Sequence, residues 1–245
     1  QDAGKPQIGC QKSCCSNLKN RFYVSSLGVS DTKNKKNYLF DASPDITTQT
    51  NLLSSKTGVS GIAGIFVTHA HIGHYTGLMY LGKEGLNTVN TSVYAMPRLK
   101  KYLTSNGPWS QLVTLNNIDI KLLRAETPVE LGGDLIVIPI SVPHRDEFSE
   151  TVGFKILGAK KSALFIPDID KWNLWQKDIV TEVKSVDYAF IDGTFFADGE
   201  INRPIKEVPH PFISETVSLF NNEPLAVKQK IYFIHLNHTN PEIGR

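Results

Sequence analysis

Three histidines stand together directly after a predicted core strand. The apolar run Ile62–Thr68 is rich in β-branched residues, which favours a buried strand, and His69, His71 and His74 follow it at once. Alternate residues of an extended segment point the same way, so the first two imidazoles can reach one ion while the third faces a neighbouring position. A histidine-rich surface tract is the alternative. Such a tract rarely separates a core strand from the apolar start of a helix, here Tyr75–Leu81, so the pattern indicates a metal site.

The other predicted strands also end at residues that can bind a metal ion. Each follows or closes an apolar strand: Asp41, His144, Asp168, Asp192 and His235. One such residue alone is usually a solvated loop start or a helix cap. Because ligands converge where strands end, five of them together predict a shared site.

These strand ends and the histidine motif resemble the metallo-β-lactamase superfamily, whose signature at this place is HxHxDH. This chain departs from the signature at Gly73, where the family has an aspartate. The resemblance implies an α+β fold, an αββα sandwich in which two mixed β-sheets carry outer helices. The predicted order of strands and short helices suits that architecture, in a single domain spanning residues 1–245.

The resemblance also implies roles for the ligands. His69, His71 and His144 would bind metal one, His74 and His235 metal two, with Asp168 bridging the two ions. Asp41 would be a buried acid that orients the histidine loop. The carboxylate absent at Gly73 should weaken or remake the second site, so we expect a mononuclear or unequal dinuclear centre.

Three segments resemble one branch of the superfamily, the pyrroloquinoline-quinone biosynthesis protein B family: residues 39–46, 191–195 and 234–241. That family has largely lost the first two imidazoles, whereas this chain keeps His69 and His71, and it has an amide in place of His238. The comparison implies a relative with an intact metal-one site and does not imply that this chain makes the quinone.

Three further residues have open roles. His210, ahead of a predicted helix, could contact substrate from a flap over the pocket or belong to the turn that starts the helix. His238 could donate a proton or act as an extra ligand, and Asp192 could replace the carboxylate absent at Gly73.

The three cysteines of the chain, Cys10, Cys14 and Cys15, lie within a predicted loop at residues 1–20. Three nearby thiolates could hold a structural zinc with one further ligand from elsewhere. The alternative is a reactive or disulfide-linked pair with one thiol left over, since adjacent cysteines make an awkward chelate. The quinone-biosynthesis resemblance, with its three-cysteine zinc knuckle, favours zinc.

The composition of the chain limits which classes of partner it is expected to bind. A net charge of +2 over 245 residues is too small for a nucleic-acid footprint, and the basic residues 33–36 are typical of a solvated hairpin turn. The longest apolar candidate, Leu135–Val142, is far shorter than the roughly 18 residues of a membrane span. We therefore expect a soluble protein, cytoplasmic or periplasmic, with a small-molecule substrate; the oligomeric state stays open.

The spacing of apolar residues along the chain predicts where the strands and helices lie. Predicted hairpins pair residues 21–26 with 37–41 and 151–157 with 162–166, and further strands cover 91–96, 135–142, 186–191 and 230–234. Predicted helices cover 97–103, opened by a proline, 172–184 and 211–221.

The predicted chemistry is metal-assisted hydrolysis of a small ester, lactone or cyclic or linear phosphodiester. One or two zinc ions, with iron or manganese as alternatives, would activate a water molecule that Asp168 holds, and His210 and His238 are the further catalytic candidates. An iron centre that activates oxygen and a non-catalytic metal-binding module are the alternatives.

Overall fold

A computed structural model describes residues 4–16, 21–202 and 207–243, and two β-sheets form its centre. The first sheet holds five strands in chain order: β1 (Leu27–Asp31), β2 (Lys36–Phe40), β3 (Gly64–Phe66), β4 (Thr91–Ala95) and β5 (Ile118–Leu122). The second holds six strands, also neighbours in chain order: β6 (Val129–Glu130), β7 (Ile136–Ser141), β8 (Val152–Leu157), β9 (Ser162–Ile166), β10 (Tyr188–Asp192) and β11 (Ile231–Ile234).

Both sheets are mixed. The strand pairs β1–β2, β6–β7, β7–β8 and β8–β9 are antiparallel, whereas β2 to β5 run parallel to one another, as do β9 to β11. Because parallel strands end at the same edge of a sheet, the residues that follow β2, β3, β9, β10 and β11 come together at one edge of the molecule.

The helices lie along the two sheets. Their bounds are α1 (Ser13–Ser16), α2 (Ile46–Thr57), α3 (Ile72–Tyr75), α4 (Pro97–Ser105), α5 (Trp109–Thr114), α6 (Ile179–Lys184), α7 (Ile213–Leu219) and α8 (Leu225–Lys228), with 3-10 turns at Thr76–Leu81 and Trp172–Leu174. Within residues 4–16, 21–202 and 207–243, none of the helices has the length and hydropathy of a membrane span.

An aromatic cluster joins the two sheets. Phe40 and Phe66 of the first sheet meet Phe154 of the second edge-to-face, with ring centroids 5.4 and 5.6 Å apart, and Phe40 meets Phe165 at 6.1 Å. All four side chains are buried, and edge-to-face pairs add about 0.5–1.5 kcal/mol each beyond the burial of their area. Separate apolar clusters fill the space between each sheet and its helices. The predicted αββα sandwich is confirmed.

The first predicted hairpin was partly wrong. Residues 21–26 form extended loop rather than the first strand, which begins at Leu27. The turn explains the shift: Asp31 accepts hydrogen bonds from the backbone and side-chain nitrogens of Asn34, so the chain reverses within 32–35 and the paired strands must flank those residues. The second predicted hairpin, β8–β9, is confirmed.

The predicted helix 172–184 is interrupted. Its first part is a 3-10 turn, and α6 begins only after Asp178, whose carboxylate accepts the Thr181 amide as an N-cap. Helix α2 was missed because Ile46–Thr57 is rich in Ser, Thr and Asn and shows no clear apolar stripe. Helices α4 and α7 occur where they were predicted.

Gly77 fixes the histidine segment against the loop after β2. Its amide donates to the carbonyl of Ala42 at 2.9 Å, and an added Cβ would lie 2.1 Å from the carbonyl oxygen of Ser43. We expect Gly77→Ala to destabilise the fold by about 3 kcal/mol, because backbone rather than a flexible side chain would have to move.

Urea denaturation of the wild type and of Gly77→Ala measures the difference in their free energies of unfolding. Gly107→Ala is the matched control, since no atom lies within 4 Å of its added Cβ and its free energy of unfolding should change by less than about 0.5 kcal/mol. Equal stability of the two variants would contradict the proposed close packing.

Candidate metal centre

A buried carboxylate, Asp168, lies at the centre of the site. Its Oδ2 is 3.3 Å from His69 Nε2, 3.9 Å from His71 Nδ1 and 3.7 Å from His74 Nε2. Its Oδ1 is 3.4 Å from His144 Nε2. The three histidines that follow β3 therefore meet, at one carboxylate, the residues that follow β9 and β7 of the other sheet.

The ligand atoms form three groups that share Asp168: two contain most of the imidazoles, and the third is Asp168, Asp192 and His210. The first ligand group is His69, His71, His144 and Asp168; the second ligand group is His74, Asp168 and His235, and within each group the ligand atoms lie within 4.8 Å of one another. Zinc–nitrogen bonds of about 2.0–2.1 Å in a tetrahedron would separate neighbouring ligand atoms by roughly 3.3 Å. The observed separations around Asp168 are close to that value.

One buried nitrogen supports metal binding directly. His144 Nε2 has no hydrogen-bond partner among the described residues although it is shielded from solvent. A buried polar atom without a partner is costly, and a metal ion at the first ligand group would use its lone pair. The residues present therefore fit a divalent cation.

Carboxylates fix the orientation of three imidazoles. Nδ1 of His74 lies 2.7 Å from Asp41, and Nδ1 of His144 lies 3.0 Å from Asp170. Nε2 of His71 lies 2.9 Å from Glu147. In each case the nitrogen bonded to the carboxylate carries the proton, which leaves the lone pair of the other nitrogen directed at the centre.

Two threonine hydroxyls connect carboxylates to the remaining imidazoles, His69 and His235, and fix the orientation of their rings. Thr68 Oγ1 donates to Asp41 at 2.9 Å, so its oxygen accepts from His69 Nδ1, also at 2.9 Å. Thr194 Oγ1 donates to Asp192 at 2.7 Å and accepts from His235 Nδ1 at 2.8 Å. Both relays orient Nε2 of the histidine towards the ligand groups.

Asp192 and His210 form a pair beside the centre. His210 Nδ1 is 2.8 Å from Asp192 and 3.1 Å from Asp168. Burial opposes protonation of this imidazole, yet the charges of Asp192 and Asp168 outweigh it and raise the pKa of His210 to about 10. The carboxylate of Asp192 accepts three more hydrogen bonds, from the amide of Ile169 and from the amide and hydroxyl of Thr194.

Two site residues adopt a strained backbone. Asp41 has φ of 69° and His235 has φ of 62°, in the left-handed region that non-glycine residues rarely adopt. Such conformations cost about 1–3 kcal/mol and persist where the surroundings hold them. The Ser25 hydroxyl accepts the amide of His235 at 2.8 Å, and the Asp41 amide donates to Phe66 at 2.8 Å.

Comparison with known families agrees with this geometry. A family profile described as "Beta-lactamase superfamily domain" matches residues 36–236, which include all the histidines and aspartates of the two ligand groups. The chain belongs to the metallo-β-lactamase superfamily. No curated protein matches the chain.

Solved structures of the superfamily share the fold at low identity. Zn(2+)-bound PqqB from Methylobacterium extorquens is 22% identical with a TM-score of 0.75, covering 98% of this chain and 87% of that one. A diphosphatase from the PhnP family is 21% identical with a TM-score of 0.66, covering 98% and 84%. Human tRNase Z, short form, is 15% identical with a TM-score of 0.58, covering 90% and 88%.

His238 is not part of either ligand group. It belongs to no metal-competent group among the described residues, and it borders a cavity of about 490 Å³ together with Lys5 and Ser25. Burial and the charges of Lys12 and Lys5 lower its pKa. Its roles as a proton donor or an extra ligand stay predictions, as does metal binding by Asp192.

The cysteine sulfurs do come together. Cys10, Cys14 and Cys15 are free thiols whose sulfur atoms lie within 4.8 Å of one another. Residues 1–3 and 17–20 of the predicted cysteine loop lie outside the described residues.

Sequence reasoning missed the residues that hold the imidazoles. Thr68, Asp170 and Thr194 each stand one or two positions from a predicted site residue, so the polar residues of the same loops were the available signal. Glu147 had no such signal, because it reaches His71 across 76 positions of the chain.

Asp170 offers a direct test of this support. Asp170→Ala should weaken metal binding about 10–100-fold, because His144 loses the acceptor that fixes its proton on Nδ1. Asp170→Asn keeps an acceptor oxygen and should recover most of the affinity, and Asp119→Ala, on β5, should leave it unchanged. Isothermal titration with zinc measures the affinity of all three variants. An Asp170→Ala variant that binds zinc as tightly as the wild type would show that Asp170 does not support the metal site.

Proposed function

We propose that this protein is a metal-dependent hydrolase whose metal ion binds at the first ligand group. The observation that carries the proposal is the set of three imidazoles and one carboxylate whose ligand atoms lie within 4.8 Å of one another. Three protein nitrogens and an oxygen are a ligand set that zinc accepts, and iron or manganese accept it as well.

The ligand assignment follows from the lone pairs. His69 and His144 offer Nε2, and His71 offers Nδ1, since hydrogen bonds occupy the other nitrogen of each ring. Asp168 would serve both ligand groups, because its Oδ2 lies 3.3 Å from His69 Nε2 of the first group and 3.7 Å from His74 Nε2 of the second. His74 and His235 would bind a second ion, and Asp41 positions the histidine loop.

When bound, the ion supplies a Lewis acid that lowers the pKa of a water molecule towards neutrality and polarises the bond to be broken. The chain contributes orientation and proton handling. Asp168 can accept a hydrogen bond from the attacking water. Nδ1 of His210 is held by Asp192, which leaves Nε2 to face a leaving group.

Exposure indicates where a substrate enters. The side chains of His69, His74, His144 and Asp168 are at most 2% exposed, whereas those of His71 and His210 are 13% and 12% exposed. The rings of both exposed histidines lie within 5.5 Å of the ring of His144, so the opening lies above that ligand. This position supports a substrate contact for His210 rather than a purely structural turn.

We propose a small ester, lactone or phosphodiester as the substrate. The mild net charge of +2 gives little attraction for nucleic acid. The PhnP-family diphosphatase shares this fold, which is consistent with a phosphoryl substrate.

The test is hydrolysis by metal-loaded protein. Zinc- and manganese-loaded samples should hydrolyse at least one of p-nitrophenyl acetate, an acyl-homoserine lactone and bis-p-nitrophenyl phosphate. His144→Ala should lower the rate at least about 100-fold and the metal content by about one ion per chain, since it removes a ligand of the first group. Asp119→Ala serves as the control variant and should match the wild type.

Three results would contradict the proposal. Equal rates in His144→Ala and wild type would place the chemistry elsewhere. Iron-loaded protein that consumes oxygen, with no hydrolysis by any loaded form, would establish the oxidative alternative; a bound metal without either reaction would indicate a binding module.

We also propose a structural zinc at Cys10, Cys14 and Cys15. Three sulfurs within 4.8 Å of one another suit zinc better than a disulfide with one thiol left over, and Cys15 is buried in α1. A zinc there would tie the amino-terminal loop to itself, because in such sites the free energy of metal binding is free energy of folding.

Cys14→Ser should therefore lower the melting temperature by about 5 °C or more while the active-site ion stays bound. Thermal unfolding with and without chelator measures the loss, and Ser13→Ala, one position earlier on α1, is the control. A Cys14→Ser variant that melts with the wild type and keeps every bound metal would show a cluster of free thiols.

A further inference from the structure

A cavity of about 490 Å³ lies between the two sheets, at the edge where β1 and β11 are the outermost strands. Residues 22–27 line one side, and residues 233–236, from β11 and the loop after it, line the other. Its volume is within the range of about 300–1,000 Å³ that small-molecule sites occupy. Among the described residues of the two ligand groups, only His235 borders it, and the exposed histidines of the metal-site opening, His71 and His210, do not. The cavity is therefore separate from that opening.

The walls of this cavity are aromatic and aliphatic. Phe165 and Phe190 are register partners on β9 and β10, and Ile234 on β11 lies on the same face of the sheet, so the three side chains form one apolar wall. Phe22 and Leu27 add apolar surface from the first part of the chain. Aromatic rings pack well against such a wall, with ring centroids about 4.5–7 Å apart. The lining therefore favours a flat apolar ligand.

A buried cation lines the same cavity. Lys5 is 5% exposed, and its backbone exchanges two hydrogen bonds with that of Phe22, at 2.9 and 3.1 Å. Its ammonium forms no hydrogen bond or ion pair with any residue that the structure describes. Lysine is almost never buried without such a partner, because removing a charge from water is costly. Lys5 therefore favours an anion in the cavity.

The charges around the cavity also favour an anion. Burial and the charges of Lys12 and Lys5 lower the pKa of His238, which lines the cavity, so the charge of Lys5 acts on this space. Among the described residues that line the cavity, none is an aspartate or a glutamate. A negative group in the cavity would thus meet attraction without a competing acid in its walls.

Two acids close to the cavity already have other partners. Asp45 forms an ion pair with Arg21 at 2.6 Å. Glu200, whose charge acts on His238 in the opposite direction, accepts hydrogen bonds from the amide of Phe196 and the hydroxyl of Thr239. Neither acid forms an ion pair with the buried lysine.

We propose that this cavity binds an aromatic monocarboxylate, with the ring against Phe165 and Phe190 and the carboxylate on the ammonium of Lys5. The ligand needs an apolar body for the walls and one negative charge for the lysine. The site is distinct from the proposed hydrolytic centre, and its occupation does not depend on a bound metal ion.

Isothermal titration of the zinc-loaded protein with 2-naphthylacetate tests the site. We expect one molecule to bind per chain with a Kd of about 100 µM or below. The neutral analogue 2-naphthylacetamide has the same rings but cannot form a charge-assisted hydrogen bond with Lys5, so it should bind at least about 10-fold more weakly.

Substitutions in the cavity test the two parts of the ligand. Lys5→Met keeps the linear apolar stem without the charge, so it should weaken binding of the acid about 10-fold and leave the amide unchanged. Lys33→Met removes a charge from the exposed turn between β1 and β2 and should match the wild type. Ile243→Trp fills space at the wall of the cavity and should weaken both ligands, which tests the site even if Lys5→Met does not fold. Thermal unfolding of each variant checks that it is folded.

The metal centre is the rival position for a carboxylate, and His144→Ala separates the two. This variant should bind 2-naphthylacetate as tightly as the wild type. Binding that is lost in His144→Ala and kept in Lys5→Met would place the carboxylate on the metal ion and overturn the inference. Equal affinity for the acid and the amide, or no saturable binding up to about 1 mM, would overturn it as well.

Discussion

The site depends on the contacts that the buried carboxylate of Asp168 makes with the surrounding imidazoles. Its oxygens lie within 3.9 Å of five imidazoles, three from the segment that follows β3 and two from the half of the chain that contains the second sheet. Burial alone would raise the pKa of this acid, but the charges of His210 and His235 outweigh it and hold the pKa well below its usual range. Asp168 therefore stays an anion in a buried position, as its proposed role as a metal ligand requires.

A second layer of polar residues makes that arrangement rigid. Asp41 serves two imidazoles, directly at His74 and through Thr68 at His69, and Asp192 serves His210 directly and His235 through Thr194. Each sheet thus contributes the same arrangement, a carboxylate joined to an imidazole through a threonine hydroxyl. The left-handed backbone at Asp41 and His235 shows that the fold accepts local strain to place these residues.

The sequence predicts the fold and the residues that gather around Asp168 better than it predicts the residues that hold them in place. Strand ends carry a strong signal, because an apolar run followed by a histidine or an aspartate is readable along the chain, and those residues meet at Asp168 as expected. Supports such as Glu147 depend on contacts between distant loops, which periodicity does not reveal. Helix α2 escaped notice because its polar sequence lacks an apolar stripe, and the first strand shifted because the Asp31–Asn34 turn sets the register.

Anomalous diffraction at the zinc, iron and manganese edges, from crystals grown without chelator, would show whether a metal ion binds at the first ligand group. We predict a peak within bonding distance of His69, His71, His144 and Asp168, stronger than any peak at His74 and His235. Fully grown crystals of metal-supplemented protein with no anomalous peak at Asp168, or with the main peak away from the first ligand group, would contradict the account.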